Sequence, residues 1–169
     1  MDHPVVRYAI LVGSVALAQY AIASQFRLAG VSVDLLLVLA IAAGIHSGAE
    51  RGAVVGFASG FALDLLTVTP FGVGSVSYLA AAVVAGLLEG ATVHSARWLT
   101  MAIALVASIS GLLCFALTGA VLGRSDMLTG HLVVVIAIVA PTSAVLVLPV
   151  LRACRWADPE DLRLRTAVR

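Results

Sequence analysis

Two carboxylates set the chemical question in this chain. Asp34 stands in VSVDLLLVL and Asp64 in GFALDLL, each embedded in apolar sequence. A charged acid facing lipid at the centre of a membrane helix costs about 2.5–3.5 kcal/mol on insertion scales. Each acid therefore needs a proton, a partner or a place among other helices. For Asp64 two readings stay open. It is either an interhelical hydrogen-bonding group that fixes packing, or a site for an ion, a proton or a partner's polar group. Asp34 begins its segment, where the helix dipole favours an acid and Ser32 is placed to cap nearby amides. A sharper expectation groups Asp34 and Asp64 with Arg27 and Arg124, the two cations assigned below to the same side, as a small outer-leaflet charge cluster.

The remaining reactive groups do not assemble into a centre. His46, Glu50, Glu89 and His94 fall at or near the opposite ends of the apolar segments, and His3 and His131 lie near other segment ends. No HExxH, paired histidine or Cys/His set is present, so no metal is expected. Cys114 and Cys154 have no CxxC spacing and very different settings, which reads as two structural thiols. GxSxG, Walker A and GxGxxG runs are absent, and no nucleophile–base pair can be built. A non-enzymatic protein without cofactor is expected. The net charge of +1 gives no argument for nucleic acid.

The elements that would position the acids are membrane helices. Of 169 residues, 62% are apolar and 11% charged, against about 25% charged in soluble domains; mean hydropathy is +1.11. Six apolar segments approach bilayer-spanning length: Val5–Ser24, Val31–His46, Gly52–Val68, Val73–Glu89, Leu99–Leu122 and Leu132–Leu151. The second is short and would need flanking residues or local thinning to span. With both termini cytoplasmic, Arg7, Arg51, Arg97, Arg152, Arg155, Arg163, Arg165 and Arg169 lie inside and only Arg27 and Arg124 outside. That is a strong positive-inside bias. The expected fold is an all-α polytopic membrane protein, a six-transmembrane-helix bundle over residues 1–152 with a short cytoplasmic tail, 153–169. Arg7, an apolar run and Ala21-Ile22-Ala23 also have the outline of a signal peptide; retention as the first span is the expectation. Pro141 and Pro149 are expected to kink the last span.

Glycines at four-residue spacing, Gly48, Gly52, Gly56 and Gly60, lead to Asp64. They lie along one side of a helix and allow a neighbour's backbone to approach closely. That neighbour is either another helix of this bundle or a partner's transmembrane helix. With Pro70 and Gly72 beyond it, the ladder reads as an assembly surface.

The run GFASGFALDLLTVTPFG, from Gly56 to Gly72, resembles the GFxxGxxxDLxxxxPxG pattern of the rod shape-determining MreD family. Asp34-Leu35-Leu36-Leu37 resembles that family's proline-acid-leucine segment, with Val33 in place of the proline. The resemblance continues through Val73-Gly74-Ser75-Val76-Ser77-Tyr78 to Ala85-Gly86, and the stretch it spans covers about a third of the chain. The resemblance implies a six-helix fold similar to the substrate-binding component of energy-coupling-factor vitamin transporters. It implies a bacterial plasma membrane protein of the peptidoglycan elongation machinery. Its expected partners are MreC, a single-span protein with an extracellular coiled coil, and with it MreB, RodA and a class B penicillin-binding transpeptidase. A homodimer is compatible with this reading.

Two functions follow as expectations. The first is a membrane scaffold for cell shape, with Gly52, Gly56, Gly60, Asp64, Pro70 and Gly72 packing helices or docking a partner. The second is a vitamin-type substrate-binding transporter subunit, which would need convergent polar and aromatic groups in a pocket. The chain holds only five Phe, three Tyr and two Trp, which favours the scaffold.

Overall fold

A backbone without aqueous partners closes its hydrogen bonds within helices, and the apolar segments do so here. A computed structural model describes residues 4–23, 27–28, 31–32, 34–67, 72–91, 97–122 and 131–157. Among these residues the helices are α1 (Pro4–Ala23), α2 (Leu35–Leu66), α3 (Val73–Gly90), α4 (Arg97–Val121) and α5 (His131–Ala157). The strands β1 (Arg27–Leu28) and β2 (Val31–Ser32) form a minimal antiparallel pair between α1 and α2, with Arg27 opposite Ser32. Helices α3, α4 and α5, and α2 when its 32 residues are taken end to end, are long and apolar enough to cross a membrane; the apolar stretch of α1, Val6–Ala21, is shorter. The protein is therefore an all-helical membrane protein in its coarse architecture.

The six separate spans expected from the sequence resolve as five helices. Segments 31–46 and 52–68 are joined in α2, and the break placed over 47–51 shrinks to one residue. Gly48 adopts φ 80° and ψ 176° within the helix, a backbone state open to glycine and strained for other residues. The chain reverses there. Residues eight apart in a straight helix lie about 12 Å from each other, yet a Cβ built on Gly52 would stand 2.5 Å from the Cα of Gly44. Helix α2 is thus a hairpin of two arms, 35–47 and 49–66. Gly48 is the bend of the ladder rather than its first rung.

The first arm is the axis of the bundle. Every residue from Leu36 to His46 is buried, as expected for a helix that is apolar all round. It is enclosed by α1, its own second arm, α3, α4 and α5. That enclosure removes the length problem raised by its sixteen-residue expected span: an arm wrapped by protein need not match the bilayer. Its start also moves. Val31 and Ser32 are strand rather than helix, and Asp34 itself takes the cap position assigned to Ser32.

Helix α1 runs antiparallel to this arm and is tied to it at both ends. Tyr8 Oη and Ser47 Oγ are 3.0 Å apart; the Gln19 side chain accepts from the Leu35 amide at 2.6 Å. Helix α5 continues through Pro141 and Pro149, and Thr142 donates its hydroxyl to the Ile138 carbonyl at 2.8 Å beside the first of them. Cys114 and Cys154 are free thiols, as expected.

Candidate functional site

The end of α2 and the start of α3 are fastened by one side chain. A helix N-terminus leaves its first amides without intrahelical acceptors, and none of the first residues of α3 supplies a capping side chain. Asp64, eight residues upstream of Gly72 and almost fully buried, does it from the neighbouring arm. Its Oδ2 accepts from the Gly72 amide at 3.0 Å, the Ser75 amide at 3.2 Å and the Ser75 hydroxyl at 3.2 Å. Its Oδ1 accepts from the Gly74 amide at 3.0 Å. A carboxylate suits this place because both oxygens only accept and the positive end of the helix dipole faces them. Gly72 at φ 99° turns the chain so that these amides converge.

The glycines let the two helices come close enough for that contact. A Cβ on Gly56 would lie 2.6 Å from the Tyr78 carbonyl oxygen and 2.9 Å from the Ala82 Cβ. On Gly60 it would collide with the Gly74 carbonyl, and on Gly74 it would stand 2.5 Å from Asp64 Oδ1. Further along, Gly86 abuts the backbone of Gly48 and Ala49, and Gly44 of the first arm abuts Ala82. Thus α3 packs antiparallel on the second arm and parallel to the first. Gly52, Gly56 and Gly60 are all buried against the chain's own backbone. The ladder packs helices of this bundle, so those three positions do not offer a seat to a partner's helix.

Asp34 makes a second, separate attachment to α3. Its Oδ1 accepts from the Leu37 amide at 3.1 Å, capping its own helix. Its Oδ2 accepts the hydroxyl proton of Tyr78. Both carboxylates are thereby brought to the same end of α3, but each has its own donors rather than sharing a site. Of the two arginines expected to join them, Arg124 and the side chain of Arg27 lie outside the described residues. So do Pro70, His3, His94 and the tail beyond Ala157.

Sequence reasoning assigned no site role to Gln19, Gly44, Gly74, Ser75 or Tyr78. The alternation Gly72-x-Gly74 and the lone tyrosine in the small-residue run of α3 were the available signals. Buried hydroxyls are otherwise satisfied within their own helices: Ser77 donates to Val73 O at 2.6 Å and Ser108 to Ala104 O at 2.7 Å, the back-bonding pattern open to serine in helices. Ser59 is the exception. Its hydroxyl is fully buried with no hydrogen-bond partner among the described residues. No group of three or more metal-ligating side chains forms among the described residues.

Chemically, the arrangement is a joint. Two acids on α2 hold α3 by backbone amides and a phenol, with glycines providing the close approach. Comparison with family models, with curated proteins and with solved structures gave no match to this chain.

Proposed function

We propose that the chain is a non-enzymatic membrane scaffold of the peptidoglycan elongation machinery, of the MreD type, which maintains cell shape by binding a single-span MreC-like partner. The observation that carries this reading is how the Gly56–Gly72 run is used. Gly56, Gly60, Asp64 and Gly72 act together in locking α2 to α3, so the residues that resemble the family form one structural unit. Such a unit builds a rigid frame, as a scaffold requires. Through the single-span partner, the scaffold would connect MreB, RodA and a class B transpeptidase.

The reading places the chain in a bacterial plasma membrane with six spans and both termini cytoplasmic. The reversal at Gly48 and the uneven distribution of arginines support that topology. On the outer side of the second arm, Val54, Phe57, Phe61 and Leu65 are exposed at spacings of three and four residues. They form an apolar stripe suited to a partner's transmembrane helix.

The test is co-purification of the full chain with its MreC-like partner from mild detergent. F57A/F61A should weaken capture, whereas L117A on α4, also exposed, should not. Capture undiminished by F57A/F61A would remove this face from the interface. Failure of the wild-type chain to retain such a partner, together with a bound vitamin in the purified sample, would favour the transporter subunit.

A further inference from the structure

We infer that the seam where α1 begins and α5 ends is a binding site for the headgroup of an anionic phospholipid. The argument starts from the last turns of α5. Leu151, Cys154 and Ala157 turn into the bundle, while Arg152, Arg155 and Trp156 are exposed. Arg7 reaches across from α1: its guanidinium carbon stands 5.8 Å from the centre of the Trp156 ring, and Nη1 donates to the Trp156 carbonyl at 3.4 Å. Three arginines are thereby gathered around one exposed indole at a single end of the bundle. An indole flanked by cations is the composition of a membrane-interface anchor, and each arginine near a bilayer surface attracts acidic lipid.

The surface leading to this cluster argues for a lipid rather than a free phosphate. Pro141, Val145 and Pro149 are exposed on α5. At 100° per residue, they share one sector of the helix, roughly 120° wide, with Arg152, Arg155 and Trp156. An apolar stripe thus runs along the helix and ends in a basic cluster. That order, acyl-contacting surface and then phosphate-binding guanidinium groups, matches a phospholipid lying along α5. Arginine also pairs well with a phosphodiester through its planar fork of donors. This inference needs only that α1 and α5 lie in a bilayer, and stands or falls apart from the scaffold reading.

The test uses the full chain with W98F, which leaves Trp156 as the single tryptophan, in nanodiscs. Quenching of Trp156 by phosphatidylglycerol brominated on its acyl chains is compared with quenching by brominated phosphatidylcholine. The expected result is an apparent preference for the anionic lipid of roughly fivefold per engaged arginine. It should fall stepwise in R152Q and R152Q/R155Q, whose side chains are exposed and not part of the core; unchanged thermal melting of both variants checks this. Equal quenching by the two lipids, or a preference undiminished by the double substitution, overturns the site; the part carried by Arg7 should remain. Displacement of the brominated lipid by inorganic phosphate would assign the cluster to a free anion and also overturn it.

Discussion

The Oδ1 atom of Asp64 accepts a 3.0 Å hydrogen bond from the amide of Gly74 and also fills the space that a Cβ on Gly74 would need. Acid and glycine therefore work as a pair. A side chain at 74 would expel the carboxylate, and loss of the carboxylate would leave the amide uncapped. The start of α3 depends on a residue in another helix, which couples the two helices more tightly than apolar packing alone.

Asp64→Ala should be among the most damaging single changes. It strips an acceptor from the buried amides of Gly74 and Ser75 and from that of Gly72. At about 1–3 kcal/mol for each unsatisfied buried group, a total loss of ~3 kcal/mol or more is expected. For a chain of this size that lowers the melting temperature by roughly 10 °C, readable by thermal unfolding in detergent. Asp64→Asn keeps one accepting oxygen and should lose about half as much. A melting temperature of the alanine variant equal to that of the wild type would contradict the clamp.

Glycine substitutions should divide by location rather than by residue type. Gly56→Ala and Gly60→Ala force a methyl into the backbone of α3, and overpacking of that kind costs about 1–3 kcal/mol. Gly13, in α1, has open space where its Cβ would be. Gly13→Ala should be neutral or stabilising by up to ~1 kcal/mol, since glycine is a poor helix former. Parallel melting curves of the three variants decide the matter, and a loss in Gly13→Ala as large as in Gly56→Ala would count against the packing account.

Tyr78→Phe should loosen α3 from the first arm of α2. The phenol donates to Asp34, and an intramolecular hydrogen bond contributes about 0.5–1.5 kcal/mol net. The double change Asp34→Asn/Tyr78→Phe should cost less than the sum of the two single changes, with a coupling of at least ~0.5 kcal/mol. Strict additivity in the cycle would show that the contact contributes nothing.

Ser59→Ala should stabilise the protein. The hydroxyl is fully buried and lacks a partner among the described residues. Removing a desolvated, unbonded polar group recovers about 1 kcal/mol, so the melting temperature should rise by a few degrees. A fall would mean that the hydroxyl is bonded in the membrane-embedded protein.

Gly48→Ala tests the reversal of α2 separately from packing. Space is open around this residue, so only its φ of 80° opposes a side chain. With ψ at 176° the backbone lies in a region essentially reserved for glycine, where a residue with a Cβ costs about 1–3 kcal/mol. A matching loss of stability is expected, smaller than that of Asp64→Ala; an unchanged melting curve would argue against the bend.

Composition and hydropathy alone determined that the chain is helical and built for a membrane, because a backbone in apolar surroundings has few other ways to satisfy its amides. The glycine spacing likewise announced close helix packing, and Asp34 at the head of its segment announced a helix start. What it could not supply was the partner of each group. Whether Gly56 faces α3 or another protein depends on how the helices cross. Whether positions 47–51 form a loop or a one-residue bend depends on the backbone state of Gly48. The short segment after Asp34 looked too short for a bilayer until the fold buried it on every side. Asp64 and Gly74 are ten residues apart in the chain, with a turn between them. Only the antiparallel return of α3 along the second arm brings the amides to the acid, because long-range contacts are set by helix crossing and not by local sequence.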